Sequence, residues 1–181
     1  ELNEKLPTSA LAQSELAEKY YDANQFTRAA EQYGKYIKNP NHFQGDEQRY
    51  SGLLYFGKKY KESLDVANQV LAKDPNNEYM QRMVMLNEAA LENWPAAEAA
   101  GQKLFAHNDA KFTATDYSTY GEVLGKLGKP NEAVAAYEAA YELNPEKNKQ
   151  MLAEISEMYN KLENDSMAVA YMQKYVDLGD A

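Results

Sequence analysis

A large residue (or, once, a proline) followed three positions later by a small one recurs along the chain at a nearly constant interval. The pairs are Phe26/Ala29, Tyr60/Ser63, Trp94/Ala97, Pro130/Ala133 and, more weakly, Asp165/Ala168. Their small members lie 34, 34, 36 and 35 residues apart. Five near-equal spacings constrain the fold more than any single motif. They describe one supersecondary unit used repeatedly, each copy burying its apolar face only by stacking on its neighbours.

The rest of the unit lines up on the same frame. Four residues after each small position come Tyr33, Ala67, Gly101, Tyr137 and Met172, and three further on come Tyr36, Val70, Leu104, Ala140 and Tyr175. Positions at i, i+4 and i+7 share one face of a helix. Upstream, Leu16/Tyr20, Tyr50/Leu54, Tyr120/Leu124 and Ile155/Tyr159 form an i, i+4 stripe on a preceding helix, from which the third unit departs with Val84 and Glu88. Pro40, Pro75 and Pro145 close three units where proline cannot continue a helix. The pattern predicts ten helices, near 10–23, 26–38, 46–57, 60–73, 78–91, 94–106, 114–127, 130–143, 148–162 and 165–177. No stretch alternates with period two for long enough to form a strand.

This 34-residue helix–turn–helix unit resembles the tetratricopeptide repeat. The fourth unit carries the resemblance best, through Tyr117, Tyr120-Gly121, Leu124, Gly128, Ala133, Tyr137, Ala140 and Pro145. The resemblance implies an all-α fold, a right-handed superhelical array of about five TPR-like repeats (10–43, 44–77, 78–111, 114–147, 148–181) forming a single domain over 1–181. It also implies that Ala17, Ser51, Gly121 and Ser156 occupy the close approach between the two helices of a repeat. Met85 breaks that pattern in repeat three.

Chemistry is poorly supplied. The 181 residues contain no cysteine, which excludes disulfides, thiolate nucleophiles and cysteine-bound metals. His42 and His107 sit among turn-like residues without a second ligand at helical spacing, and no nucleophile elbow is present. Gly121–Gly128 has the wrong spacing for a phosphate loop, with Leu127 where a hydroxyl would hold magnesium, and it lies within a helix. Asn164-Asp165-Ser166 matches a glycosylation acceptor, a triplet common by chance. The tyrosines fall mostly on packing positions, as does Trp94. No enzyme activity, cofactor or metal is expected. A net charge of −9, from 19 basic and 28 acidic side chains, argues against nucleic acid. No apolar run approaches the roughly 18 residues of a membrane span. The chain begins at Glu1 without an initiator methionine, as a processed or excised protein would, and a cell-envelope or periplasmic setting is favoured over the cytoplasm.

What remains is binding. In tetratricopeptide proteins the first helix of each repeat lines the concave face, where extended peptides bind. By the repeat frame, that face carries Glu15, Glu18, Glu122, Glu154 and Glu157 in the outer repeats. The middle offers Arg49, Gly52, Tyr55, Phe56, Tyr79, Arg82, Met83 and Leu86. The helix near 79–91 is apolar nearly all round, so something covers it: a partner, the Glu1–Thr8 segment, or a neighbouring repeat. The expected function is a non-enzymatic protein-interaction scaffold for a peptide or protein, anchored at repeats two and three. The alternative is a structural module that stacks on further repeats or another chain through its C-terminal edge, where Tyr171, Met172 and Tyr175 sit. The two-repeat clamp with which some tetratricopeptide proteins hold a terminal carboxylate is missing here, since only Arg49 among its positions is basic and Glu18 repels an acid.

Overall fold

A computed structural model describes residues 9–43, 45–107 and 111–179. The Glu1–Thr8 segment, one of the covers considered for the apolar helix, lies outside the described residues. Among the described residues there are ten α-helices and no strand: α1 Ala10–Asp22, α2 Phe26–Ile37, α3 Glu47–Phe56, α4 Tyr60–Leu71, α5 Glu78–Ala90, α6 Trp94–Phe105, α7 Ala114–Lys126, α8 Pro130–Leu143, α9 Met151–Lys161 and α10 Asp165–Asp177. Nine agree with the expected spans to within two residues at each end. α9 begins three residues later than expected. Asn148 is occupied in a turn, its Nδ2 donating to the Ala140 carbonyl near the end of α8 and its backbone amide to Asn144.

The described residues divide into two compact units, Glu1–Leu91 and Glu92–Ala181. In the first, each of α1 to α5 packs on its chain neighbour, and α3 also touches α5. Its core gathers Ala17, Ala29, Ala30, Tyr33, Tyr36, Leu53 and Leu54. In the second unit α6 to α10 pack in the same serial manner around Leu124, Ala133, Tyr137, Ala140, Ile155 and Met158.

The small residues stand where helices approach. Ala29, Ser63, Ala97 and Ala133 are fully buried and Ala168 is 3% exposed. Ser51 and Ser63 face each other with hydroxyl oxygens 3.0 Å apart, and Ser63 Oγ donates to the Ser51 carbonyl at 2.8 Å. Asn87 from α5 joins them, its Nδ2 donating to Ser63 Oγ at 2.8 Å and to the Met83 carbonyl at 2.7 Å. Ser156 plays the matching part in the last repeat by donating to the Ala168 carbonyl at 2.7 Å.

The turn inside each repeat is built one way. Asn24, Lys58, Glu92, Gly128 and Glu163 all have left-handed backbone, with φ of 56°, 58°, 59°, 72° and 56°. In four of them the amide one residue later reaches back to the carbonyl five residues before it: Gln25 to Tyr20, Lys59 to Leu54, Lys129 to Leu124 and Asn164 to Tyr159. This is the Schellman closure, which satisfies the last carbonyls of the first helix and turns the chain into the second.

Candidate functional site

In the first unit, α1, α3 and α5 place four of the expected residues together. Gly52 has no side chain, and the Tyr79 hydroxyl occupies the space: a Cβ at 52 would stand 2.6 Å from that oxygen. Burial raises the Tyr79 phenol pKa, while the nearby charges of Arg49 and Arg82 oppose the rise. Arg49 is held from α1. Its Nε and Nη2 donate to the two carboxylate oxygens of Glu18 at 3.2 and 2.7 Å, and its guanidinium lies 4.4 Å from the Tyr21 ring centroid. This fork-to-fork pair fixes the arginine's plane and leaves its side chain 40% exposed. The Glu18 hydrogen bond raises the Arg49 pKa further, so the group is a permanent cation. Arg82 pairs with Glu78 at 3.0 Å along the same helix face.

The other expected residues are placed differently. Phe56 is exposed and turns toward the helix ends, packing on Phe26 and Tyr21 with centroids 5.6 and 6.3 Å away. Tyr55 is half-buried between Phe56 and Tyr60. Met83 and Leu86 are buried, with 3% and 8% exposure. They offer a partner little contact area of their own. At the C-terminal end, Tyr171 turns inward. Its ring stacks on Tyr159 at 5.5 Å and its hydroxyl donates to Glu138 at 2.6 Å. Met172 is 41% exposed and Tyr175 half-buried, while the more open apolar side chains on α10 are Val169 and Val176.

The glutamate-rich positions of the second unit are not an even acidic rim. α7, α8 and α9 gather Glu122, Glu154 and Glu157 around one cavity with Tyr137 at its base. By the repeat frame Tyr137 is a packing residue. Its ring has that role, and the signal for more lay in the two glycines opposite, Gly121 and Gly125. Among the described residues no group of three His, Cys, Asp or Glu side chains is arranged to hold a metal ion, and no helix is long and apolar enough to cross a membrane. His42 accepts a turn position, with Nδ1 2.7 Å from the Asn39 carbonyl oxygen.

No protein-family profile matches the sequence, and no curated protein does. Solved structures do match. MamA (residues 41 to the end) from Desulfovibrio magneticus RS-1 superposes with a TM-score of 0.81 at 14% identity, covering 94% of this chain and 95% of its own. YrrB, described as a TPR protein with an unusual peptide-binding site, gives 0.72 at 19% identity over 97% of this chain and 89% of its own. The C-terminal part of a TPR repeat-containing protein from Cytophaga hutchinsonii gives 0.65 at 26% identity, over 71% of this chain and 50% of that one. The serial helix pairs, the repeated left-handed turn and these superpositions agree: the chain has the all-α fold of the tetratricopeptide-repeat proteins.

Proposed function

We propose that the chain is a non-enzymatic scaffold that binds an extended peptide or partner protein on the face formed by α1, α3 and α5. The observation that carries this reading is the Arg49–Tyr79 patch. A cation with a fixed plane and a tyrosine seated on a glycine stand near each other, part-exposed. Preorganised aromatic and arginine side chains are what interface anchors are made of. Arg49, through the donors that Glu18 leaves free, contacts the peptide's backbone carbonyls together with Tyr79 and Arg82. Gly52 leaves the space that the Tyr79 hydroxyl fills, and Tyr55 with Phe56 flanks the track. Met83 and Leu86, being buried, hold α5 in place. A peptide-binding site in YrrB gives the reading a precedent on this fold.

The test begins with partners captured from fractionated lysate on the immobilised chain, identified by mass spectrometry and measured by calorimetry. Tyr55→Ala and Arg82→Ala weaken an identified partner at least about tenfold, the cost of removing an anchor. Glu157→Ala has a much smaller effect. Acidic peptides with a free C-terminal carboxylate do not bind at micromolar concentration, because Glu18 already occupies Arg49. If both anchor variants bind like wild type, the partner uses another face.

One observation favours a second reading, self-association through the C-terminal edge: Val169, Met172 and Val176 of α10 are 68%, 41% and 45% exposed. Sedimentation equilibrium decides it, since a monomer mass held at high concentration removes this reading.

A further inference from the structure

The cavity of the second unit has a volume of about 370 Å³. Its buried base is made by Met151, Met158 and the Tyr137 ring, which are 8%, 3% and 4% exposed. The glycines of α7 shape it. A Cβ on Gly121 would stand 2.8 Å from the Tyr137 ring, and one on Gly125 would stand 3.1 Å from Met158 Sδ. With hydrogen at both positions, the phenol and the thioether reach under α7 and form an apolar base.

The upper wall is acidic, and its charges are unevenly answered. Lys161 pairs with Glu157 at 3.0 Å, and the Lys126 ammonium lies 5.8 Å from the Trp94 ring centroid. Both lysines line the cavity and act on Glu154 electrostatically, but among the described residues neither Glu122 nor Glu154 forms a close ion pair with them. A second, independent feature is the Tyr137 hydroxyl. It belongs to a residue 96% buried, it has no hydrogen-bond partner among the described residues, and Glu154, Glu122 and Glu157 all act on it electrostatically. The ring is buried while the hydroxyl oxygen itself reaches the open hollow, since among the described residues the buried side-chain oxygen without a partner is Asn87 Oδ1. Here the hydroxyl, without a protein partner, opens into a hollow that holds two carboxylates outside any close ion pair.

We propose that this hollow takes the side chain of a lysine or arginine from a bound peptide. The methylene stem lies on Met151 and Met158, and the cationic nitrogen is held by Glu122, Glu154 and the Tyr137 hydroxyl. Long basic side chains suit such a place because their stems are apolar and only their tips need charge. A further cation also relieves the Glu154 carboxylate, whose pKa is raised by burial and then by Glu157 and Glu122, with Lys161 and Lys126 opposing the rise only in part. The inference rests on the peptide-scaffold reading and sharpens it, because it names the chemistry of one partner residue at a place separate from Arg49.

The probes are three end-capped pentapeptides, glycine–alanine–X–alanine–glycine, with X lysine, arginine or norleucine. Each is titrated into the full ¹⁵N-labelled chain and followed by amide chemical shifts. The lysine and arginine peptides shift the Gly121, Gly125 and Glu154 amides saturably, in the millimolar range expected of a single side chain, and the norleucine peptide does not. The double variant Glu122→Gln/Glu154→Gln weakens this binding at least tenfold while amides outside α7–α9 keep their positions. Tyr137→Phe, which removes only the hydroxyl, weakens it severalfold. Arg49→Ala leaves it unchanged, so failure of the α1/α3/α5 reading and failure of this one are told apart. The proposal is overturned by equal shifts from norleucine, by wild-type binding in the double variant, or by no saturable shift at about 20 mM peptide.

Discussion

Lys58 tests the energetics of the repeat turn directly. Its φ of 58° lies in the left-handed region, where an L-residue carries a penalty of about 1–2 kcal/mol. Its side chain is exposed, and no hydrogen bond or ion pair among the described residues would be lost with it. Its backbone amide donates to the Tyr55 carbonyl at 2.9 Å, a bond that glycine retains. Lys58→Gly therefore removes the penalty and adds only glycine's extra freedom in the unfolded chain, about 0.5–1 kcal/mol. The net gain is about 0.5–1 kcal/mol. Gly128 is the mirror experiment. Its φ is 72°, and a Cβ there would meet nothing within 4 Å. Gly128→Ala thus costs only the backbone term and loses about as much as Lys58→Gly gains, about 0.5–1 kcal/mol. For a chain of this size 1 kcal/mol moves the melting temperature by about 2–4 °C. Urea denaturation and thermal melts followed by circular dichroism resolve both changes. A Lys58→Gly chain less stable than wild type, or a Gly128→Ala chain equal to it, refutes the argument.

Ala133 is fully buried beside Leu124, Tyr137 and Ile155. Ala133→Leu forces volume into that contact and destabilises by about 1–3 kcal/mol; an unchanged denaturation midpoint would show the helix frame to be wrong. Glu154 gives a pH signature. Burial, then Glu157 and Glu122, raises its carboxyl pKa in the folded chain, so the folded state holds this proton more tightly and stability falls as pH rises through the carboxylate range. Glu154→Gln is expected to melt above wild type at neutral pH, with the gain gone near pH 4, where the wild-type carboxyl is protonated. A difference in melting temperature that is the same at both pH values contradicts this.

The frame was legible because packing repeats with the chain. Once Ala29, Ser63, Ala97, Ala133 and Ala168 mark the close contacts, helix positions follow from the 3.6-residue period, and nine of the ten helices lie within two residues of where that spacing puts them, α9 starting later. Pairings between repeats were not legible. Glu18 and Arg49 are 31 residues apart, and both were visible as face residues, yet no local rule joins them into a fork. Met83 and Leu86 illustrate a second gap. Periodicity shows that α5 is apolar on more than one side, but not which side is covered, and both residues prove to be buried. Tyr171 shows a third: its phenol follows a carboxylate on another helix, Glu138, which its own helix cannot reveal. The left-handed turns were visible only as Asn, Lys, Gly and Glu at matching positions. Three of these are residues that a rule built on glycine passes over.

The buried contact among Ser51, Ser63 and Asn87 bears on how a repetitive chain finds its proper order. Repeats that are chemically alike can dock out of sequence, skipping a neighbour or exchanging with another molecule. Asn87 makes one such pairing distinguishable. Its amide meets a hydroxyl only at Ser63, because the same slot in every other repeat holds alanine. Docked on Ala29, Ala97, Ala133 or Ala168, the amide would keep its bond to the Met83 carbonyl on its own helix but turn its other N–H onto a methyl group, at a cost of about 1 kcal/mol or more for a buried donor left without a partner. Ser63 thus serves as an address: α5 is delivered to the second repeat, and mistaken assemblies are penalised by the same group that joins the correct one.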